Sequence, residues 1–395
     1  MEVFFRDGDS LDYYAQLFGI SLNLLRDSNS NIDFSQMKSG QPIQIPGFAL
    51  EHHMLGINDQ LYFLAAERNL SLDAIKLVNQ DCHFAELMIG SNIYLPKRVN
   101  RAVVNRRRAY DYSALTEDIE ALNALYPFIR INEIGKSVLG KSIYELRLGR
   151  GQKKVHMNAS FHANEWITSS VLMELLNAFL LTMMNFQKMR HINTAELYEL
   201  VDLSIVPMVN PDGVNLVING LPEQNSRELI RMNDDNQDFS GWKANIRGVD
   251  LNNQFPANWE IEKERKIPQS PAFRDYPGEK ALSEPEAIAM EKLAEDHPFS
   301  RVIAFHTQGE EFYWGYEGKE PVESFMLASE FERWSGYKSI QNVDSHAGFK
   351  DWFIQTFRKP GFTIELGRGI NPLPLSQFPE IYRKVEGIFL AALYL

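Results

Sequence analysis

Short apolar runs separated by polar turns open the chain. Val3-Phe4-Phe5 is followed at once by Arg6-Asp7-Gly8, which predicts a brief strand and a turn. Asp9 or Ser10 can cap the helix that comes next, whose apolar positions include Leu11, Tyr14 and Phe18. Leu22 and Leu25 suit a second short helix. Pro42-Ile43-Gln44-Ile45-Pro46 reads as a closing edge strand, where the N–H that proline lacks is not needed. This strand–helix–helix–strand pattern then recurs. Gly8-Asp9-Ser10-Leu11 returns as Asn58-Asp59-Gln60-Leu61, Asn29 as Asn79, Gly40-Gln41 as Gly90-Ser91 and Ile45-Pro46 as Leu95-Pro96, each displaced by 50 positions. A constant displacement over four landmarks marks an internal repeat.

Beyond a basic, apolar-poor stretch around residues 98–111 the pattern changes. Apolar runs now alternate with helical patterns, as in a layered α/β domain over residues 112–395. Val155–Ala159 and Leu203–Val209 read as strands with Ile167–Leu181 as a helix between them; Val302–Phe305 and Phe362–Ile364 are further short strands. The polar segment between Asn258 and Ser283 is expected to be a long loop or a solvated helix, either a surface insertion or a rim of the active site.

Length and composition narrow the function. A chain of 395 residues with 44% hydrophobic residues can fold as about two or three domains with sizeable cores. A net charge of −12 argues against a nucleic-acid partner, and the one basic run, Arg106-Arg107-Arg108, falls in the expected linker. The single Cys82 excludes an intrachain disulfide framework and any multi-cysteine metal site, and suits a small apolar filler. Met1-Glu2-Val3-Phe4-Phe5-Arg6-Asp7 does not resemble a secretory leader, so a cytoplasmic location is expected. The apolar run Leu172–Met184, interrupted by Glu174 and Asn177, is shorter than the roughly 20 residues of a membrane span, so no membrane association is expected.

The candidate chemistry lies where strands end. His162-Ala163-Asn164-Glu165 offers a nitrogen and an oxygen ligand between a strand and a helix, and a hydrolytic zinc site takes three such ligands and leaves one position for water. His83-Phe84-Ala85-Glu86 has the same spacing inside the second repeat, where it reads as an ordinary surface helix. The first pair ends an apolar strand, and His306 ends another, able to supply a third ligand. Glu365 closes a third strand, as a structural ion-pair partner or as a general base beside a metal.

These residues resemble the zinc carboxypeptidases of the carboxypeptidase A superfamily over roughly residues 110–395. The resemblance implies a mixed twisted sheet flanked by helices. It further implies one zinc ion held by His162, Glu165 and His306, with Glu365 as the catalytic carboxylate. Asn210-Pro211-Asp212-Gly213 and Gly248-Val249-Asp250-Leu251-Asn252 match two further landmarks of the family. The N-terminal copies, residues 1–47 and 51–97, resemble LysM modules, which implies binding of N-acetylglucosamine-containing glycan such as peptidoglycan or chitin.

Departures from the family pattern bear on substrate choice. Where exopeptidase members follow the motif asparagine with an arginine that grips a terminal carboxylate, Asn252 is followed here by Asn253. The family's oxyanion arginine corresponds to Lys243, with Arg247 able to share that role. The covering tyrosine of digestive members falls on Val343, with His346 nearby. Lys350, before Asp351, is expected at the floor of the pocket for the residue after the cut, where it would favour an anion. Two glycan-binding repeats ahead of such a domain are similar to the cell-wall peptidases of spore-forming bacilli. That likeness implies hydrolysis of the γ-D-glutamyl–meso-diaminopimelate bond of peptidoglycan stem peptides, with residence extending to the forespore or spore. The alternatives are a metallocarboxypeptidase that trims C-terminal residues and an inactive glycan-binding spore protein.

Overall fold

The computed structural model describes residues 1–104, 108–222 and 226–395, apart from the side chain of Ser35. Arg106 and Arg107 of the basic run lie outside the described residues. Arg108 is ion-paired to Glu117 at 2.6 Å rather than free in solvent. The chain divides into two compact units. The first holds residues 1–103 with 119–129 and 179–188; the second holds the remainder.

In the first unit, β1 (Glu2–Phe4), α1 (Leu11–Phe18), α2 (Leu22–Asp27) and β2 (Pro42–Gln44) form one βααβ element, and β1 pairs antiparallel with β2. The second comprises β3 (Phe48–Met54), α3 (Leu61–Ala66), α4 (Leu72–Val78) and β4 (Asn92–Arg98), with β3 antiparallel to β4. Ser10 caps α1 by accepting from the Tyr13 amide. The repeated asparagines explain the periodicity. Asn29 is buried, donates to the carbonyls of Leu25 and Gln44, and accepts from the Gln44 amide; Asn79 does the same with Ile75 and Tyr94. Each asparagine staples the end of the second helix to the closing strand, satisfying polar backbone that would otherwise be buried unpaired. The turns differ more. Gly8 adopts φ 82°, whereas around Asn58 the turn is held by Asp59, which accepts from the Gly56 amide and contacts His53 at 2.8 Å. The two elements are joined by Arg6, which grips Asp73 with both terminal nitrogens, and by the Tyr13 hydroxyl, which donates to the same carboxylate. Cys82 is half-buried rather than a core filler.

The second unit is an α/β domain on one eight-stranded mixed sheet. Its elements in chain order are the start of α5 (Tyr112–Leu125, counted with the first unit from Ile119), β5 (Arg130–Lys136), β6 (Ser142–Leu148) and β7 (Lys153–Ala159), then α6 (Ile167–Met184, counted with the first unit from Phe179). A short ribbon of β8 (Lys188–Met189) and β9 (Ile192–Asn193) leads to α7 (Thr194–Leu200), β10 (Val201–Val206), α8 (Pro211–Asn219) and α9 (Ser226–Met232). Next come α10 (Trp259–Arg265), α11 (Pro285–Asp296), β11 (Arg301–Thr307) and β12 (Glu311–Tyr313). The chain closes with α12 (Val322–Ser335), β13 (Lys338–Ile340), α13 (Phe349–Phe357), β14 (Gly361–Leu366) and α14 (Phe378–Tyr394). The strand order is β13-β12-β14-β11-β7-β10-β6-β5, with β10, β7, β11 and β14 mutually parallel at the centre. Every residue of β11 is buried, as expected of a strand covered on both faces.

This topology positions the site. From β7 the chain passes through α6 to β10 on one side, while β11, reached later, pairs with the other side of β7. The connections therefore diverge at the β7–β11 boundary, and a crevice opens beyond the carboxyl ends of those strands. Two sequence expectations need adjustment, while the polar segment takes one of the two forms expected of it. The strand expected at Leu203–Val209 runs from Val201 to Val206. The polar segment after Asn258 begins as a helix, α10, in which Glu262 is buried and paired with Arg265 and Lys266. The helical stretch Ala163–Met184 is long and apolar enough to cross a membrane by length and composition, but 83% of it is buried within the protein. It is a core helix.

In the first turn of α11, Glu286 is fully buried and accepts from the Val138 amide and from Asn245, with Glu284 on the same asparagine. Burial, reinforced by Asp212, pushes its carboxyl up to about 7, against the lowering by its hydrogen bonds. The folded state therefore binds the proton more tightly than the unfolded chain. The stabilisation is fully present below about pH 4.5 and is lost as pH rises through about 7. Urea unfolding at pH 5 and pH 8 is expected to show wild type losing on the order of 3 kcal/mol more than Glu286→Gln across that interval. Equal losses in the two proteins would assign the pH dependence to other groups.

Candidate metal centre and active site

The crevice is built first from the turn after β7. Ser160 adopts φ 50°, and its amide donates to Thr168, whose hydroxyl donates to the Glu165 carbonyl at 2.7 Å. The Ser160 hydroxyl also contacts that of Ser169 at 2.7 Å, so the turn is fastened to the start of α6. Asn210 fixes it from the other side. Its amide nitrogen donates to the carbonyls of Phe161 and Ala244, and its oxygen accepts from the Gly213 amide. A side chain at Gly213 would strike the Ala244 carbonyl at 2.7 Å and Ala163 at 2.8 Å, so only glycine permits this approach. The asparagine and glycine of the Asn-Pro-Asp-Gly landmark are therefore scaffolding for the site.

Three side chains converge on the crevice. Nδ1 of His162 lies 2.9 Å from Glu165 Oε1, Nδ1 of His306 lies 3.0 Å from Glu165 Oε2, and the two Nδ1 atoms are 3.1 Å apart. A tetrahedral zinc centre with bonds of about 2.0–2.2 Å requires donor atoms roughly 3.3–3.5 Å apart, so small outward shifts would accommodate the ion. All three residues are buried, and they form a cluster of metal-ligand type. Orientation also fits. Nε2 of His162 contacts Asp250 Oδ1 at 3.2 Å, which leaves Nδ1 as the free donor, and the His306 ring stacks on Phe161. Burial alone would suppress the charge on Glu165, but the two imidazoles more than offset it and hold its carboxyl low. The residues fit zinc.

Glu365 follows from strand register. It is the direct neighbour of His306 across the parallel β11–β14 pair, and it borders the same cleft as His162 and Glu165. Burial pushes its carboxyl up, with repulsion from Glu165 adding to the shift. Such a group is poised to take a proton rather than to rest as a permanent anion.

Lys243 also borders the cleft, a volume of about 490 Å³. Its Nζ lies 2.9 Å from Asp250 and 3.4 Å from Asp275; burial would lower its pKa, but these carboxylates raise it, so the cation is held. The Ala163 amide donates to the Lys243 carbonyl, joining this loop to the metal turn. Arg247, expected to share the oxyanion role, does not reach the cleft. It is exposed, lies 3.6 Å from Glu284, and lines a separate depression with Met232 and Ile246.

Asn252, Asn253, His346 and Lys350 gather instead near the start of α13 and do not line this cleft. Asn252 accepts from the Phe349 amide, Asn253 is buried, and His346 contacts the Tyr316 hydroxyl at 3.0 Å. Lys350 is not a free cation. Its Nζ donates to the Gly315 carbonyl and lies 2.6 Å from Asp351, with both side chains buried. Phe349, Trp352 and Phe353 draw this helix inward, and a cation carried inside with them must bring its counter-charge.

Sequence reasoning missed three residues. Asp250 was legible only as part of a motif; its buried carboxylate touches both His162 and Lys243. Tyr313 borders the cleft from β12, where its backbone pairs opposite Thr363 and its hydroxyl donates to Glu311. Arg274 borders the same cleft from a loop that local pattern could not place. His83 and Glu86 have no metal-type cluster around them among the described residues.

Comparison with known proteins agrees with this geometry. The zinc carboxypeptidase family profile matches residues 115–385. The chain is 51% identical, over the whole of both sequences, to gamma-D-glutamyl-L-diamino acid endopeptidase 1 of Lysinibacillus sphaericus. It is 49% identical to the uncharacterized protein YqgT of Bacillus subtilis (strain 168), over 74% of this chain and 79% of that one. Among solved structures, thrombin activatable fibrinolysis inhibitor shares the fold, with a TM-score of 0.58 at 19% identity over 73% of this chain and 76% of the other.

Two variants test the metal assignment. His306→Ala is expected to lose bound zinc, and Asp250→Asn to retain it with roughly 10- to 100-fold weaker affinity. Elemental analysis and competition with a chelator measure both. Full zinc content in His306→Ala would exclude that residue as a ligand.

Proposed function

Because the chain belongs to the zinc carboxypeptidase family, we propose that it is a zinc endopeptidase that hydrolyses the γ-D-glutamyl–meso-diaminopimelate bond of peptidoglycan stem peptides. The observation that carries the specificity is the 51% identity, end to end, with the Lysinibacillus endopeptidase. Asn253 supports it, since a neutral amide cannot make the bidentate charged grip on a terminal carboxylate that exopeptidases use. Trimming of C-terminal residues is therefore disfavoured.

Zinc held by His162, Glu165 and His306 would supply a Lewis acid that polarises the scissile carbonyl and acidifies water. The protein's own groups do the rest. Glu365, with its raised carboxyl pKa, accepts the proton of the attacking water and delivers it to the departing amine. Lys243 faces the developing oxyanion, a charge that strengthens its interaction as the carbonyl becomes tetrahedral. Asp250 holds both His162 and Lys243 in place, so one buried carboxylate orients a metal ligand and the oxyanion cation together.

We also propose that the two N-terminal βααβ elements bind N-acetylglucosamine-containing glycan and bring the enzyme to its substrate. The fifty-residue repeat and its matched asparagine staples support this reading.

Incubation with L-Ala-γ-D-Glu-meso-diaminopimelate should release L-Ala-D-Glu and free diaminopimelate, identified by mass spectrometry. Glu365→Gln should keep zinc and lose turnover by roughly 10²- to 10⁴-fold. Near-normal turnover in that variant would assign the base elsewhere. The same inactive full-length variant should sediment with insoluble peptidoglycan or chitin. Complete recovery in the supernatant would remove the glycan-binding role.

A further inference from the structure

We infer that Arg274 reads the free α-carboxylate of the D-glutamyl residue on the acyl side of the cut; this rests on the γ-glutamyl reading above. Arg274 lines the cleft with Glu365 and Lys243. The adjacent backbone fixes its place, because the carbonyl of Phe273 accepts from the amides of both Lys243 and Ala244. Arg274 is therefore held on the Lys243 side of the cleft, apart from the cluster of Tyr316, His346 and Lys350.

Its charge is available where the others are not. Lys243 is matched by Asp250 and Asp275, and the nearby Lys266 by Glu262 and Asp275. Asp275 thus faces three cations, at 3.4 Å for Lys243, 3.9 Å for Lys266 and 2.9 Å for Arg274 Nε. Arg274 has no other carboxylate among the described residues. Its Nε is pinned to Asp275, its terminal nitrogens have no hydrogen-bond or ion-pair partner among the described residues, and about half of its side chain is exposed. A pinned guanidinium with two open donors is a carboxylate-binding fork.

Substrate chemistry supplies the matching anion. In a γ-glutamyl bond the scissile carbonyl belongs to the side chain, so the residue's own α-carboxylate is carried a few bonds away on the acyl side. An ordinary α-peptide has no such group there. If the scissile oxygen faces Lys243, the acyl group extends past the loop that carries Arg274. Of the two side-chain ammonium or guanidinium cations among the described residues lining the cleft, Lys243 is already matched by Asp250 and Asp275, which leaves Arg274 to meet an anion there. The guanidinium would thus distinguish γ-D-glutamate from its α-amide, D-isoglutamine.

The test crosses protein with substrate: wild type, Arg274→Ala and Arg274→Lys against L-Ala-γ-D-Glu-meso-diaminopimelate and the same peptide with the glutamyl α-carboxylate amidated. Wild type should prefer the free acid by roughly 10- to 100-fold in kcat/KM. Arg274→Ala should bring that ratio close to one, and Arg274→Lys should restore part of it, because lysine keeps the charge without the fork. Calorimetric Kd values for both peptides, measured in the Glu365→Gln background with and without Arg274→Ala, should show the same change in ratio without turnover. A ratio unchanged by Arg274→Ala, even with both activities lowered, would make Arg274 merely structural and overturn the proposal. Cleavage of neither peptide by the zinc-loaded wild type would overturn the γ-glutamyl reading itself, and this inference with it.

Discussion

The carboxylate of Asp250 is fully buried, and its two oxygens face two different parts of the chemistry. One meets His162 at 3.2 Å; the other meets Lys243 at 2.9 Å. Burial works against its charge, and these two partners overcome the penalty and hold its carboxyl well below the usual range. Were either partner lost, an incompletely compensated charge would remain inside the protein, a cost of several kcal/mol. The arrangement is mutually enforcing: the histidine ring is turned so that Nδ1 faces Glu165, and the lysine is fixed at the edge of the cleft.

That interaction is useful only because the sheet brings its participants together. His162 follows β7, His306 is the penultimate residue of β11, and Glu365 sits beside His306 in β14. Parallel neighbours in fixed register hold such positions to within a fraction of an ångström, which loops alone would not do. The less regular side of the site comes from loops, and these are stapled by buried amides. Asn210 joins the metal turn to the Lys243 loop, and Asn245 accepts from the amides of Arg247 and Val249 to shape the segment before Asp250.

The parts legible in the sequence were those set by local pattern. A strand ending in His306 or Glu365 announces itself by its apolar run, and the repeat by its constant displacement. Asp250 and Arg274 were less legible because their roles depend on contacts with chain far from them in sequence. Lys350 and Arg247 show the same limit from the other direction. Each is a cation near a recognised motif, yet α13 turns one inward against Asp351, while the loop before Asp250 turns the other out to solvent. Nothing in either heptapeptide encodes that difference. Helix α6 is similar: its apolar length suits a membrane or a protein core equally, and only its burial in the fold distinguishes the two.

Charge placement then ties the site to the kind of substrate it is proposed to take. Stem peptides carry several carboxylates, and a protein of net charge −12 repels them at long range. Binding must rely on cations at short range, inside a cleft where solvent screening is reduced. The chain does not put such a cation at Asn253, where an exopeptidase would hold a chain end, and it neutralises Lys350 internally. Arg274, about half exposed, lines the cleft together with Lys243. A site that holds its substrate through the acyl side need not require a free carboxyl terminus beyond the cut.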